Sequence, residues 1–273
     1  IKYESGNYEE AIQDYNKAID LKPDLVNAYK NRGIAKSRSG FYKEAMPDFD
    51  KEIELNPDGA GGYYNRGLTK HKLRDHKGAV KDYSKAIKLN SEYYQCWYNR
   101  GVAKSHLKDH SGAIKDFNKA IELKPGFAKA YLNGGIAKGK TADYKGAIKD
   151  LNKAIELNPG NAEAYFFRGV VKDELKDHRG SIQDYTKTIN LNPDHGLAYY
   201  NRGKAKSELG QYKGAVKDYN QAIEMKPDLS LAYLIRAATK YESGDKDGAC
   251  LDWSKAGELG IFEAYDFIKK YCK

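Results

Sequence analysis

An all-α solenoid of tandem helical hairpins is the fold class this sequence predicts. Three observations predict it. The chain matches itself at an offset of 34 residues almost throughout. Each copy carries two stretches in which apolar and small residues recur at helical spacing. A proline closes nearly every copy, and proline lacks the donor that a continuing helix needs.

Residues 1–25 come first and read as the tail of an earlier unit, with Ala11, Tyr15, Ala18 and Pro23 in register. The chain is therefore expected to begin inside a helix, short of at least half a repeat, with any targeting segment upstream. Seven units follow at 26–59, 60–93, 94–127, 128–161, 162–195, 196–229 and 230–261. In each first helix a ring (Tyr29, Tyr63, Trp97, Tyr131, Tyr165, Tyr199, Tyr233) precedes by four residues a small residue (Gly33, Gly67, Gly101, Gly135, Gly169, Gly203, Ala237). A break such as Ser39-Gly40 leads into a second helix. Its inner face holds a small residue (Ala45, Ala79, Ala113, Ala147, Ser181, Ala215, Ala249) and then a bulky one (Phe49, Tyr83, Phe117, Leu151, Tyr185, Tyr219, Trp253). The small positions are where two helices must approach closely. One hairpin cannot bury its apolar face alone, so stability is a sum over neighbouring units. Residues 262–273 read as an amphipathic cap, with Ala264, Ile268 and Tyr271 on one face. Pro47 predicts a kink in the second helix of unit one.

These residues resemble the tetratricopeptide repeat family over essentially the whole chain. The resemblance implies a right-handed superhelix, a peptide-binding concave groove lined by the first helices, and no catalysis. Carried over, the groove positions are Lys30, Asn31, Tyr64, Asn65, Tyr98, Asn99, Asn133, Phe166, Phe167, Tyr200 and Asn201. An asparagine ladder offers paired donors and acceptors suited to the backbone of an extended peptide. The family's chaperone-tail binders clamp a terminal carboxylate with a set whose second Asn is here Ile34, Leu68, Val102 and Ile136, which disfavours that ligand. The family also has large apolar residues where this chain repeats Arg (Arg32, Arg66, Arg100, Arg168, Arg202, Arg236) and, four later, Lys (Lys36 to Lys240). Like charges so placed repel, and Asp48, Asp82, Asp116, Asp150, Asp184, Asp218 and Asp252 are the expected counter-charges. The expectation is a structural ladder of ion pairs rather than a basic ligand track.

Composition narrows the function classes. The chain has 273 residues, 40% hydrophobic and 31% charged, and of its 33 aromatic residues 23 are Tyr; its mean hydropathy is −0.81. That suits an object with much surface per residue. The net charge of +9 is spread among acids, without a continuous positive stripe, which disfavours nucleic acid. The remaining groove charges change sign along the chain: Lys30, Arg38, His71, Lys72, His106, Lys129 and Lys140 in units one to four, then Glu163, Asp173, Glu174, Glu208 and Glu242. A polarised groove follows as an expectation, and head-to-tail self-association would use the same polarity.

No cofactor, metal or catalytic residue is expected. Residues 134–141 match G-x-x-x-x-G-K-T, but a phosphate loop needs a strand before it and a helix after it. These letters lie inside a first helix, where three glycines make unit four the expected soft joint. His76, His110 and His178 share one turn position and read as packing residues. Cys96, Cys250 and Cys272 are too few and scattered for a disulfide framework, although Cys250 and Cys272 could approach one another. No apolar run is long enough to span a membrane. The compartment stays open, with a slight lean to the cytoplasm. The leading reading is a scaffold or adaptor for a protein or peptide; the alternative is a substrate-recruiting arm of a larger enzyme or of a secretion or assembly complex.

Overall fold

The computed structural model describes residues 7–272. The expected start inside a helix rests partly on residues 1–6 and lies outside the described residues. The chain divides into two units between residues 141 and 142. In the first, α1 (Tyr8–Leu21) precedes α2 (Val26–Arg38) and α3 (Tyr42–Leu55), α4 (Ala60–Lys72) and α5 (His76–Leu89), α6 (Tyr94–His106) and α7 (His110–Leu123), then α8 (Ala128–Lys140). In the second, α9 (Tyr144–Leu157) precedes α10 (Ala162–Glu174) and α11 (His178–Leu191), α12 (Gly196–Glu208) and α13 (Tyr212–Met225), α14 (Ser230–Glu242) and α15 (Lys246–Glu258), then α16 (Ala264–Tyr271). Among the described residues every regular element is helical. The division falls in the turn of the fourth hairpin, and residues 134–140 of the phosphate-loop look-alike are helical within α8, with no strand ahead of them.

Hairpins one, two, three, five and six close over the same contact. A Cβ on Gly67 would lie 2.8 Å from a ring carbon of Tyr83, and one on Gly101 would meet Phe117 at the same distance. The rings beneath are fully buried, so the glycines are required by space. The second helices α5, α7, α11 and α15 start on side-chain caps, Asp75, Asp109, Asp177 and Asp245 each accepting from the backbone N–H three residues on. The tight turn before a second helix needs a left-handed residue. Gly40, Gly210 and Gly244 supply it, but Arg74, Lys108 and Lys176 adopt it at φ 63°, which costs about 1 kcal/mol apiece. Pro47 sits inside α3, which continues past it to Leu55.

The ion-pair ladder is present. In the second hairpin Arg66 and Lys70 meet Asp82 at 2.7 and 2.8 Å; in the third, Arg100 and Lys104 meet Asp116 at the same two distances. Arg202 and Lys206 hold Asp218 alike. A second guanidinium nitrogen reaches back to the preceding hairpin, Arg66 to Asp50 at 2.8 Å and Arg100 to Ser84 at 3.0 Å. The guanidinium also lies over the ring three residues earlier, Arg100 over Trp97 at 4.7 Å. Asp116 is 1% exposed. Removing such a carboxylate would strand two cations and cost about 3–5 kcal/mol. These Arg and Lys heads therefore hold the hairpins together, two cations sharing one ladder carboxylate, with Asp50 a second counter-charge for Arg66.

At the carboxyl end α16 buries Ala264 and packs Ile268 and Tyr271 against the Trp253 cluster, as a cap should. Cys250 and Cys272, the pair left open as able to approach, form a disulfide with Cα atoms 5.9 Å apart, tying α16 to α15. Such bonds persist in oxidising surroundings. Cys96 is free and buried.

Candidate functional site

The expected groove residues lie on the first helices, and the structure sorts them into two kinds. The aromatic row is partly packing. Tyr64 is half-buried between Tyr83 and Tyr93, and Tyr98 lies against Phe117 and Phe127. Phe166 is 8% exposed, packed on Tyr185, Phe167 and His195; it belongs to the core more than to an open groove. Phe167 and Tyr200 are half-buried.

The asparagine row is held in place by that aromatic row. Asn99 donates its side-chain N–H to Tyr64 Oη at 3.3 Å, and Asn133 donates to Tyr98 Oη at 2.9 Å. Each bond crosses from one hairpin to the next. With the amide nitrogen so used, the amide oxygen is oriented as an acceptor. Burial pushes the Tyr64 phenol up to about 12, with the Asn99 bond opposing, so the hydroxyl stays protonated. Asn31, Asn65 and Asn201 are half-buried at the equivalent positions.

Lys30 Nζ donates to Asn27 at 3.0 Å. It also faces Glu52, a carboxyl only 5% exposed where the other hairpins carry Ala or Thr. Gly61 and Gly62 make room for it. Burial raises Glu52 to about 7 against the pull of Lys30, and one of its oxygens has no hydrogen-bond partner.

The sequence reading missed a repeated crevice. One cavity of about 530 Å3 lies between α2 and α4, over Phe49 and between Ile34 and Leu68. Another, of about 230 Å3, lies between α6 and α8, over Phe117 and between Val102 and Ile136. The two use the same register positions, 68 residues apart. The available signal was the apolar residue standing where the carboxylate-clamping family members have their second Asn. At the intervening joint the same positions hold His71, His76 and His106, and the rings meet there. His76 stacks on His106 with centroids 4.6 Å apart, and His71 Nδ1 lies 3.2 Å from His76 Nδ1. So His76 is a packing residue, as expected, but within a cluster that only the fold assembles. Burial, followed by His76, His106 and Lys72, lowers His71 to about 4. Among the described residues no group of three or more His, Cys, Asp or Glu is arranged to hold a metal ion.

In the fifth hairpin the matching positions carry other chemistry. Asp173 pairs with His178 at 3.2 Å and accepts from Ser181 Oγ and, at 2.8 Å, from Tyr185 Oη. No helix among the described residues is long and apolar enough to cross a membrane.

Family models for the tetratricopeptide repeat match residues 60–93, 94–127, 162–195 and 196–229, and a TPR repeat model matches residues 1–40 and 143–173. No curated protein matches. Among solved structures, MamA is 30% identical over 59% of this chain and 94% of its own, with a TM-score of 0.57. YrrB, described as a TPR protein with an unusual peptide-binding site, is 24% identical over 67% and 95%, with a TM-score of 0.61. A tetratricopeptide repeat protein from Parabacteroides merdae is 19% identical over 97% and 99%, with a TM-score of 0.60.

Proposed function

The chain belongs to the tetratricopeptide repeat family, and from that premise we propose that it is a non-catalytic scaffold holding an extended segment of a partner protein on its first-helix face. The carrying observation is the pair of bonds from Asn99 to Tyr64 and from Asn133 to Tyr98. They fix successive amide oxygens before any ligand arrives, which lowers the entropic cost of binding. A peptide backbone presents N–H groups that such acceptors can satisfy. Tyr64, Tyr98 and Tyr200 stand beside the row as surfaces for side chains.

The test uses peptides selected on the protein from a phage-displayed random library, measured by titration calorimetry. Replacing Asn65, Asn99 and Asn133 by Ala should weaken binding about tenfold or more, at about 0.5–1.5 kcal/mol for each hydrogen bond removed, with helicity retained. Unchanged affinity would remove backbone recognition by this row. The same surface would serve if the chain is the recruiting arm of a larger enzyme or of an assembly complex.

A further inference from the structure

We propose that the partner of the first unit is an acidic segment bearing two apolar side chains. One enters the crevice between α2 and α4, the other that between α6 and α8, and the histidine cluster stands between them. This rests on the reading that the first-helix face binds an extended chain, and it names which chain.

Charge selects an acidic ligand. The four first helices α2, α4, α6 and α8 contain no Asp or Glu, while Arg38, Lys72, Lys129 and Lys140 lie on them. In hairpins one to three each ladder Asp meets both an Arg and a Lys, so the ladder leaves these other cations uncancelled. In the second unit every first helix carries an acid: Glu163, Asp173 and Glu174 on α10, Glu208 on α12, Glu242 on α14. The same scaffold thus offers an acidic segment a favourable surface before residue 141 and a mixed one after it.

The crevices select apolar anchors. Both have an aromatic floor and aliphatic walls, with a basic residue at the rim: Lys72 in one, Lys140 in the other. In the second, the His110 ring also lines the wall. The histidine cluster sets the register. Where Ser37 and Ser105 leave room, His71 does not, and His76 and His106 close over it. Neighbouring helices pack about 8–10 Å apart. The two open crevices, two hairpins apart, are thus separated by about 20 Å, which an extended chain covers in about six residues.

The test is selection of a random twelve-residue phage library on the whole chain, followed by fluorescence polarisation with the synthesised peptides. The expected result is net-negative peptides with two apolar positions about six residues apart. Leu68→Gln and Ile136→Gln should each weaken them about tenfold, the loss expected for one buried apolar side chain. Lys204→Gln, the position in the second unit equivalent to Leu68, should leave affinity unchanged. His71→Ser should open the middle joint and admit peptides whose anchors are about three residues apart. Circular dichroism confirms that the variants stay folded. Basic peptides, peptides without paired apolar positions, or binding indifferent to both crevice variants would each overturn the proposal while leaving groove binding intact. Selection of no binder at all would count against groove binding itself.

Discussion

Hairpins two and five are built on one template yet put opposite chemistry at the same two positions. In hairpin five Asp173 answers everything near it: His178, the Ser181 hydroxyl and the buried Tyr185 hydroxyl all end on its two oxygens. In hairpin two the equivalent residue is His71, which meets His76 and His106 ring to ring, and the buried Tyr83 hydroxyl beneath has no hydrogen-bond partner. The first arrangement is a closed polar network. The second is a cluster of packed imidazole rings at a joint that its neighbours leave open. Repeat proteins tolerate such local variation because each hairpin answers only to the hairpins beside it.

The difference has measurable consequences. The largest should follow Asp173→Ala, which strands the buried Tyr185 hydroxyl and a histidine and leaves Ser181 only the His178 carbonyl. A local loss of about 2–4 kcal/mol is expected, read as faster hydrogen exchange in α10 and α11. The matched pair Tyr185→Phe and Tyr83→Phe sharpens the contrast: about 1 kcal/mol lost in the first case, and none in the second, since that hydroxyl bonds nothing. Equal losses would mean that the two sites are not different in kind.

The smaller effect is on pH. His71 is held near 4 chiefly by burial, against about 6.5 in an unfolded chain. The unfolded state therefore takes up the proton first, so this contribution to stability is complete above about pH 6.5 and declines as the pH falls toward 4. Partial exposure of the rings limits the loss to about 1–2 kcal/mol, although Lys72 adds to it. Hydrogen exchange of α4–α6, corrected for intrinsic rates, should show it at pH 4.5, and His71→Ser should abolish it. Glu52 runs the other way. With its pKa raised to about 7 by burial, it favours folding at low pH and withdraws that support as the pH rises from about 4.5 to 7.

Much of this was legible in the residues. The Gly33-to-Phe49 contact and its copies could be read off, because a small and a large residue recurring at fixed offsets can only mean close approach. The Arg-Lys-Asp rungs were legible for the same reason, since unpaired like charges four apart would not recur. What escaped was whatever depends on differences between neighbouring units. The Asn99 bond to Tyr64 spans 35 residues and joins two hairpins, so no single unit displays it. The crevices were invisible because a cavity is decided by what fails to fill it: Ser37 and Ser105 leave space, His71 does not. Phe166 shares its column with half-buried tyrosines, yet His195 and Tyr185 close over it. Cys250 and Cys272 are joined only because α16 folds back, which spacing alone does not state.

The measurement that bears most directly on the scaffold reading is a photo-crosslinking footprint. Peptides selected on the protein would carry a benzophenone at successive positions, with the attachment sites mapped by mass spectrometry. The account expects crosslinks on α2, α4, α6 and α8, running in sequence along the Asn31-to-Asn133 row. Crosslinks gathered on the second helices α3, α5 and α7 would place the ligand on the opposite helix layer and contradict it.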